Sequence, residues 1–515
     1  MILIYPPVAK PCEPPAGVAR LLGALNAHGI QSSVLDANLE GILHQLHQPK
    51  TSVDTWTHRA FRKRSDHLAS LRGRDIYSHP ERYRRAVSDI NRILESSWDQ
   101  EKVVLSLSNY RHHGLSPVNS SHLIRAAESP EENPFYLYFK GRLRTVLESA
   151  PDNTVGFSLN FLSQALCTFA MIGFLKKEYP GITVCLGGGL VTSWMKSPGW
   201  NGRNPIAGLV DHIIAGPGER PLLSLFGVDV PHAHYKPDYS FASGNDYIAP
   251  GLVLPYSASE GCYWRRCSFC PESAEGNSYW PIPAELARRE IADMTVREGK
   301  ARPVLLHLLD NAVSPSLMKS LSDTPPDVPW YGFARIGEEL ADRLFCESLR
   351  RSGCVMLKLG IESGDQGVLD HMQKGINLET VSRVLKTLAE AGIATYIYLL
   401  FGTPYESETE ALKTLDFTVA HSREIGYLNI ALFNMPINSP DAAALGTSTF
   451  YEGDLSLYTD YRHPMGWNRK RVKQYLDGVF KRHPAIAPII RREPPFFTSN
   501  HAPLFVMGQD KHFNS

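Results

Sequence analysis

Three observations predict an α/β protein with two strand-and-helix regions. Short apolar runs alternate with helix-period segments through residues 1–230, the pattern of a doubly wound, Rossmann-like sheet. A second alternation runs from about residue 255 to 440. At its head three cysteines fall within nine residues, directly after a strand-like run. That is the strand end at which α/β folds keep their chemistry.

In the first region, Ile2 to Tyr5 reads as a short buried strand, broken by Pro6-Pro7. Val18, Leu21, Leu22 and Leu25 follow at helical spacing and stop at Gly29. Gln31 to Asp36, Thr154 to Leu159, Ile182 to Leu186 and His212 to Ala215 are the further strands, with helices near 163–178 and 219–226. Residues from about 50 to 150 interrupt this rhythm with Arg59, Arg62, Arg64, Arg72, Arg74, Arg82, Arg84 and Arg85 beside Trp56, Tyr77 and Tyr83. Such a run reads as a solvated helical insertion, since charge runs face water; a lid or docking surface is the sharper alternative. His112-His113 has no spaced partners and reads as polar loop. Residues 231–254 form a linker.

The second region opens with Leu254 to Gly261 and then Cys262-Tyr263-Trp264-Arg265-Arg266-Cys267-Ser268-Phe269-Cys270. Three thiolates suit an iron–sulfur cluster, zinc or cuprous copper. The next cysteine is Cys346, so a closed four-ligand site needs a distant donor, while a cubane would keep one iron open. Val304 to Leu309 and Trp330 to Arg335 read as strands. Gly353 to Gly364 reads as a buried strand followed by a polar, glycine-rich loop. A helix from Leu378 to Gly392, the strand Ile393 to Phe401 and the loop Gly402-Thr403-Pro404-Tyr405-Glu406 complete the repeat.

The cysteine loop, with Phe269 before its last cysteine, resembles that of radical S-adenosylmethionine enzymes. Gly360-Ile361-Glu362-Ser363, Lys374-Gly375-Ile376 and the Gly402 to Glu406 loop match that family in order. The resemblance implies a partial (β/α)6 barrel over about 255–440, starting near Tyr256 and ending near Phe433. It implies a [4Fe–4S] cluster on Cys262, Cys267 and Cys270, with S-adenosylmethionine chelating the fourth iron. Phe269 would lie beside adenine, Asp310 near the methionyl amine, Arg335 near its carboxylate, and Glu362 and Ser363 at ribose or amine. One departure stands out: four residues, not three, separate Cys262 from Cys267, so one residue has to bulge from the loop.

Tyr5-Pro6-Pro7, Gly187-Gly188-Gly189 and Gly216-Pro217-Gly218-Glu219 resemble the cobalamin-binding domain fused to many radical enzymes. That resemblance puts cobalamin against Gly187, Gly188, Gly189, Gly216, Gly218 and Glu219, where glycine lets backbone approach a ligand closely. Shaping a turn is the plainer reading of the same glycines. No Asp-x-His-x-x-Gly stretch occurs, so the lower axial histidine of cobalamin carriers is missing. The expected function is reductive cleavage of S-adenosylmethionine to a 5′-deoxyadenosyl radical and methylation of an unactivated carbon. Two alternatives stay open: a radical enzyme of rearrangement, cyclisation or sulfur transfer with a vestigial cobalamin domain, and a non-catalytic corrinoid- or zinc-binding protein.

Lys plus Arg and Asp plus Glu both total 53, which offers no electrostatic case for nucleic acid. Eight cysteines at irregular spacings do not make a secreted disulfide framework. Cys167, Cys185, Cys346 and Cys354 sit in apolar runs and read as small core residues; Cys12 follows the first strand on a loop. No apolar run reaches the roughly 20 residues of a membrane span, and the opening residues carry no signal-peptide pattern. A cytoplasmic enzyme served by a one-electron donor such as flavodoxin or ferredoxin is expected, its substrate a small molecule, lipid or peptide. Residues 441–515, with Trp467-Asn468-Arg469 and Pro494 to Leu504, are too aromatic for a disordered tail and read as a docking or capping region.

Overall fold

The computed structural model describes residues 1–48, 54–148, 153–200, 203–231, 233–244, 246–295, 302–450 and 452–509; the last six residues of the expected capping region lie outside this set. The chain divides into two units, Met1–Gly251 with Tyr451–Leu457, and Leu252–Phe450 with Tyr458–Ser515.

In the first unit, β1 (Ile2–Tyr5) is buried along its whole length, as a central parallel strand must be. It is followed by α1 (Ala16–Ala27), β2 (Ser33–Asp36) and α2 (Ala37–His47). The insertion holds α3 (Thr55–Arg62), α4 (Arg64–Leu71), α5 (Pro80–Glu95), the hairpin β3 (Val103–Leu105) and β4 (Tyr110–His112), α6 (Ser120–Glu128) and α7 (Tyr136–Glu148). On α5, Tyr83, Ala86, Val87, Ile90, Ile93 and Leu94 are buried, whereas Arg82 and Arg85 face water; the arginines mark the solvent side of an amphipathic helix. Then come β5 (Thr154–Ser158), α8 (Leu162–Glu178), β6 (Thr183–Gly187), α9 (Gly189–Met195), β7 (His212–Ile214) and α10 (Glu219–Leu225).

The sheet order is β2-β1-β5-β6-β7, with every pair parallel. This is the doubly wound order whose switch point falls between β1 and β5. Gln164 Nε2 donates to Pro6 O at 2.7 Å and Ser163 Oγ to Val8 O at 2.7 Å, tying the start of α8 to the chain leaving β1.

The second unit is built on β8 (Val253–Tyr256). After it come β9 (Ser259–Glu260), α11 (Pro271–Ala274), β10 (Trp280–Pro281) and α12 (Ala284–Thr295). The repeat continues through β11 (Leu305–Leu308), α13 (Pro315–Asp323), β12 (Trp330–Ala334), α14 (Arg343–Arg351), β13 (Cys354–Glu362), α15 (Gln366–His371), α16 (Leu378–Glu390), β14 (Ala394–Phe401), α17 (Glu408–Ala420) and β15 (Tyr427–Leu432). Six strands pair in parallel in the order β15-β14-β13-β12-β11-β8. Each crossover carries a helix, the partial barrel expected.

Strand ends differ from the sequence reading by one or two residues, except at β8, which stops at Tyr256 rather than running on to Gly261, and at β13. There pairing continues to Glu362 through a bulge between Gly360 and Glu362, so the polar Gly360 to Glu362 stretch is strand rather than loop. The chain ends in β16 (Met435–Pro436), α18 (Pro440–Ala444), β17 (Thr447–Thr449), β18 (Tyr458–Tyr461), α19 (Arg469–Tyr475), α20 (Ala487–Arg492) and α21 (Thr498–Gln509). Helix α20 packs on β15 and α21 on β13, and α20 thereby shields an edge strand.

Candidate active site

The three cysteines lie past the carboxyl end of β8, after the short β9, and all are half-buried. The sulfurs are within electrostatic reach of one another, Cys267 of Cys270 and Cys270 of Cys262. Among the described residues no three His, Cys, Asp or Glu side chains gather round a single metal-ion position. On a cubane each thiolate meets its own iron, so the sulfurs need not share a point. The extra residue between Cys262 and Cys267 is absorbed at Arg265, exposed and held at φ +52°.

Two distant segments grip this loop. Trp264 donates its indole N–H to Gln373 O at 3.1 Å, and Ser268 N donates to Met372 O at 3.0 Å. The Arg335 guanidinium lies 3.6 Å from the Trp264 ring centroid and donates through Nη2 to Lys374 O and Gly375 O, both at 2.6 Å. Gly375 has φ +65°, and a Cβ there would stand 2.1 Å from Trp264 Cζ2. Only glycine fits under that ring. Lys374 Nζ pairs with Glu362 at 2.8 Å and lies 5.5 Å from the Phe269 ring centroid.

The charges suit a cluster. Burial pushes the Cys267 thiol up to about 11, against the opposing pull of Lys374 and Arg335. Burial also raises Cys270, while the backbone N–H groups of Ser273 and Glu272 favour its thiolate. Iron binding therefore displaces protons from thiols. Arg335 and Lys374 then offset the thiolate charge in a partly desolvated site. The donor set and its cations fit a [4Fe–4S] cluster.

The structure brings Phe269, Arg335 and Glu362 together around the loop. Asp310 is buried just past β11 and accepts from Ala258 N at 3.1 Å and from Ser259 Oγ. Its carboxylate thus fastens the turn leading into β9, and burial raises its pKa. Ser363 is fully buried and turned the other way, with its Oγ beside Thr414 Oγ1 at 3.3 Å and accepting from Asp365 N at 3.1 Å. It fastens α17 and is not brought to the cysteines.

Sequence reasoning passed over Lys374 and Trp264. The quoted Lys374-Gly375-Ile376 segment was the available signal for Lys374, whereas the partner of Trp264 lies 109 residues away. It also passed over a polar group on the inner barrel face. There Lys358 Nζ lies 3.0 Å from His307 Nε2 and 4.8 Å from the Tyr331 ring centroid, while His307 stacks on Tyr331 at 4.3 Å.

In the first unit Gly187 ends β6 and Gly188 caps α9 at φ +112°. A Cβ on Gly188 would stand 2.3 Å from Leu159 O, so this glycine serves the unit's own turn. Gly189 N donates to Asn160 Oδ1 at 3.0 Å, and Gly216 N to Thr192 Oγ1 at 2.9 Å. A Cβ on Gly189 would come no nearer than 3.7 Å to another group, and one on Gly216 would meet nothing within 4 Å. These two positions leave backbone open to a ligand. Gly218 packs near Leu21, and Glu219 is buried in an ion pair with Arg20 at 2.6 Å; both hold α10 to α1.

A partial parallel barrel with a three-cysteine loop past its first strand defines the class: residues 256–418 match the Radical SAM superfamily and form a radical SAM domain. Particular relatives extend the likeness. The chain is 27% identical over 202 residues to the bacteriochlorophyllide d C-12(1)-methyltransferase of Chlorobaculum tepidum, covering 36% of this chain and 42% of that protein. It is 21% identical over 203 residues to an uncharacterized methyltransferase of Pyrococcus horikoshii, covering 38% and 43%. The chain thus spans less than half the length of these curated relatives.

Among solved structures, the methyltransferase TsrM from Kitasatospora setae, with tryptophan substrate and a S-adenosylmethionine analogue bound, aligns at TM-score 0.55 and 14% identity over 95% of this chain and 88% of that one. The cobalamin-dependent enzyme OxsB, with aqua-cobalamin and S-adenosylmethionine bound, aligns at TM-score 0.54 and 14% identity over 66% and 60%. The two units share the fold of these cobalamin-binding radical enzymes. Among the described residues, no helix is long and apolar enough to cross a membrane.

Proposed function

We propose that this chain is a cobalamin-dependent radical S-adenosylmethionine enzyme that methylates an unactivated carbon. The carrying observation is the cysteine loop itself, three half-buried thiols past the first barrel strand, gripped through Trp264, Arg335 and Gly375. Cys262, Cys267 and Cys270 would hold a [4Fe–4S] cluster, and Gly189 and Gly216 would give cobalamin its backbone approach. When bound, these groups supply one-electron cleavage of S-adenosylmethionine and the methyl group; the protein supplies orientation and exclusion of water.

Arg335 and Lys374 compensate the thiolate charge and hold the loop's shape. Phe269 presents an apolar face for adenine beside Lys374, and Glu362 is kept in place by that lysine. Asp310 sets the turn entering β9. The carbon methyltransferase of Chlorobaculum tepidum and the fold shared with TsrM support a methyl transfer. A reducing cytoplasm and a one-electron donor such as flavodoxin or ferredoxin complete the reading, with a small molecule, lipid or peptide as substrate.

Anaerobic reconstitution tests it. The wild-type chain should take up about four irons per chain, form 5′-deoxyadenosine with a reductant, and retain added corrinoid. Alanine at Cys262, Cys267 or Cys270 should remove iron and cleavage together, while Cys346→Ala and Cys354→Ala keep both. Full cleavage in any of the three loop mutants would sink the cluster assignment. Cleavage without corrinoid retention would shift the reaction to a non-methyl class.

A further inference from the structure

We infer that the second unit carries a separate binding site for a small carboxylate with an apolar body. It lies at the carboxyl ends of β14 and β15, on the helix side of the sheet. A cavity of about 260 Å³ is walled there by Phe401, Leu432, Phe450 and Trp467, with Asn434 and Arg469 at its polar end. Phe401 and Leu432 are register partners, and the Phe401 ring packs on Tyr475 and Phe480. This wall therefore faces the outer layer of helices. Tyr398, at odd offset from Phe401 along the same strand, packs instead on Phe333 at 5.0 Å with the inner group that includes Lys358, because successive strand residues point to opposite faces.

Arg469 is the group that identifies the ligand. Its Nη1 donates to Asn434 Oδ1 at 2.7 Å and to Phe433 O at 3.4 Å. The guanidinium carbon stands 5.1 Å from the Phe450 ring centroid. These contacts hold the plane and leave Nε and Nη2 without an acceptor among the described residues. Those two N–H groups lie side by side, the fork that receives both oxygens of a carboxylate. Lys470 also lines the cavity, against the single acid Asp460, so the lining favours an anion. The cavity lies just below the roughly 300–1,000 Å³ of drug-sized pockets. A one-ring acid, or the acid arm of something larger, fits that space.

Calorimetric titration of the full chain with 3-phenylpropionate, 3-phenylpropanol and inorganic phosphate tests the assignment. The acid should bind about tenfold or more tightly than the alcohol, the scale of a charge-assisted pair, and more tightly than phosphate. Arg469→Gln should abolish the preference for acid over alcohol. Arg469→Lys, which keeps the charge and loses the fork, should retain part of it, with unchanged melting as the check on folding. Equal binding of acid and alcohol, no acid binding at millimolar concentration, tighter phosphate binding, or an intact preference in Arg469→Gln would each overturn it. The assay needs neither cluster nor S-adenosylmethionine. Its failure leaves the radical reading standing, and failed cluster assembly leaves this site standing.

Discussion

Gly375→Ala places a methyl carbon 2.1 Å from Trp264 Cζ2 and 2.9 Å from Arg335 Nη2, on a backbone at φ +65°. A side chain in that left-handed region costs about 1–2 kcal/mol. Displacing the ring adds about 1–3 kcal/mol of overpacking. The sum, about 2–5 kcal/mol, corresponds to a fall of roughly 4–20 °C in melting temperature for a unit of this size. Moving the indole also breaks its bond to Gln373 O and frees the loop between Cys262 and Cys267, so iron uptake should fall together with stability.

In a Trp264→Ala background the overlap with the ring is gone, and the flexible end of Arg335, 2.9 Å away, can give. Gly375→Ala should then carry mainly the backbone term, giving a coupling of about 1–3 kcal/mol in the double-mutant cycle. Anaerobic melting of the four apoproteins and iron per chain after reconstitution provide the two readouts. Equal costs in both backgrounds would refute the argument that this glycine exists to seat the tryptophan. So would wild-type melting and iron content in Gly375→Ala alone.

Other expectations follow from the same geometry. Burial raises Glu406 from 4.5 to about 7, partly offset by donation from Gly402 N and Trp467 Nε1. The folded state therefore keeps a proton that the unfolded chain releases, and stability should fall by about 3 kcal/mol as pH rises from about 4.5 to 7, then level off. Glu406→Gln should flatten that window in denaturation midpoints measured at pH 5 and 7.5, and an unchanged slope would contradict the assignment. Gly188→Ala should destabilise the first unit outright through its overlap with Leu159 O, whereas Gly216→Asp, at a position without neighbours, should leave more of the fold intact and weaken corrinoid retention in gel filtration. Lys374→Met strands the Glu362 carboxylate in a site only 12% exposed, and should lower melting more than the double change with Glu362→Gln, which removes the unpaired charge.

Much of this protein is written locally. Ile2 to Tyr5 and Val253 to Tyr256 are buried along their whole length, as strands covered on both faces are. Helix α16 shows its buried face as Val381, Val384, Leu385 and Leu388, a periodicity visible without any partner. The cysteine spacing shows that three thiols can meet one cluster, and the resemblance to radical S-adenosylmethionine enzymes adds that one residue is surplus.

Tertiary structure decided the rest. That Arg335 braces Trp264, that Lys374 joins Glu362 to Phe269, and that Gly188 is needed by Leu159 are contacts between segments far apart in sequence. The partner of Ser363 was equally hidden, because Thr414 lies 51 residues away on α17. Period and composition report which face a residue prefers; they carry no information about which distant backbone it will meet when the faces close.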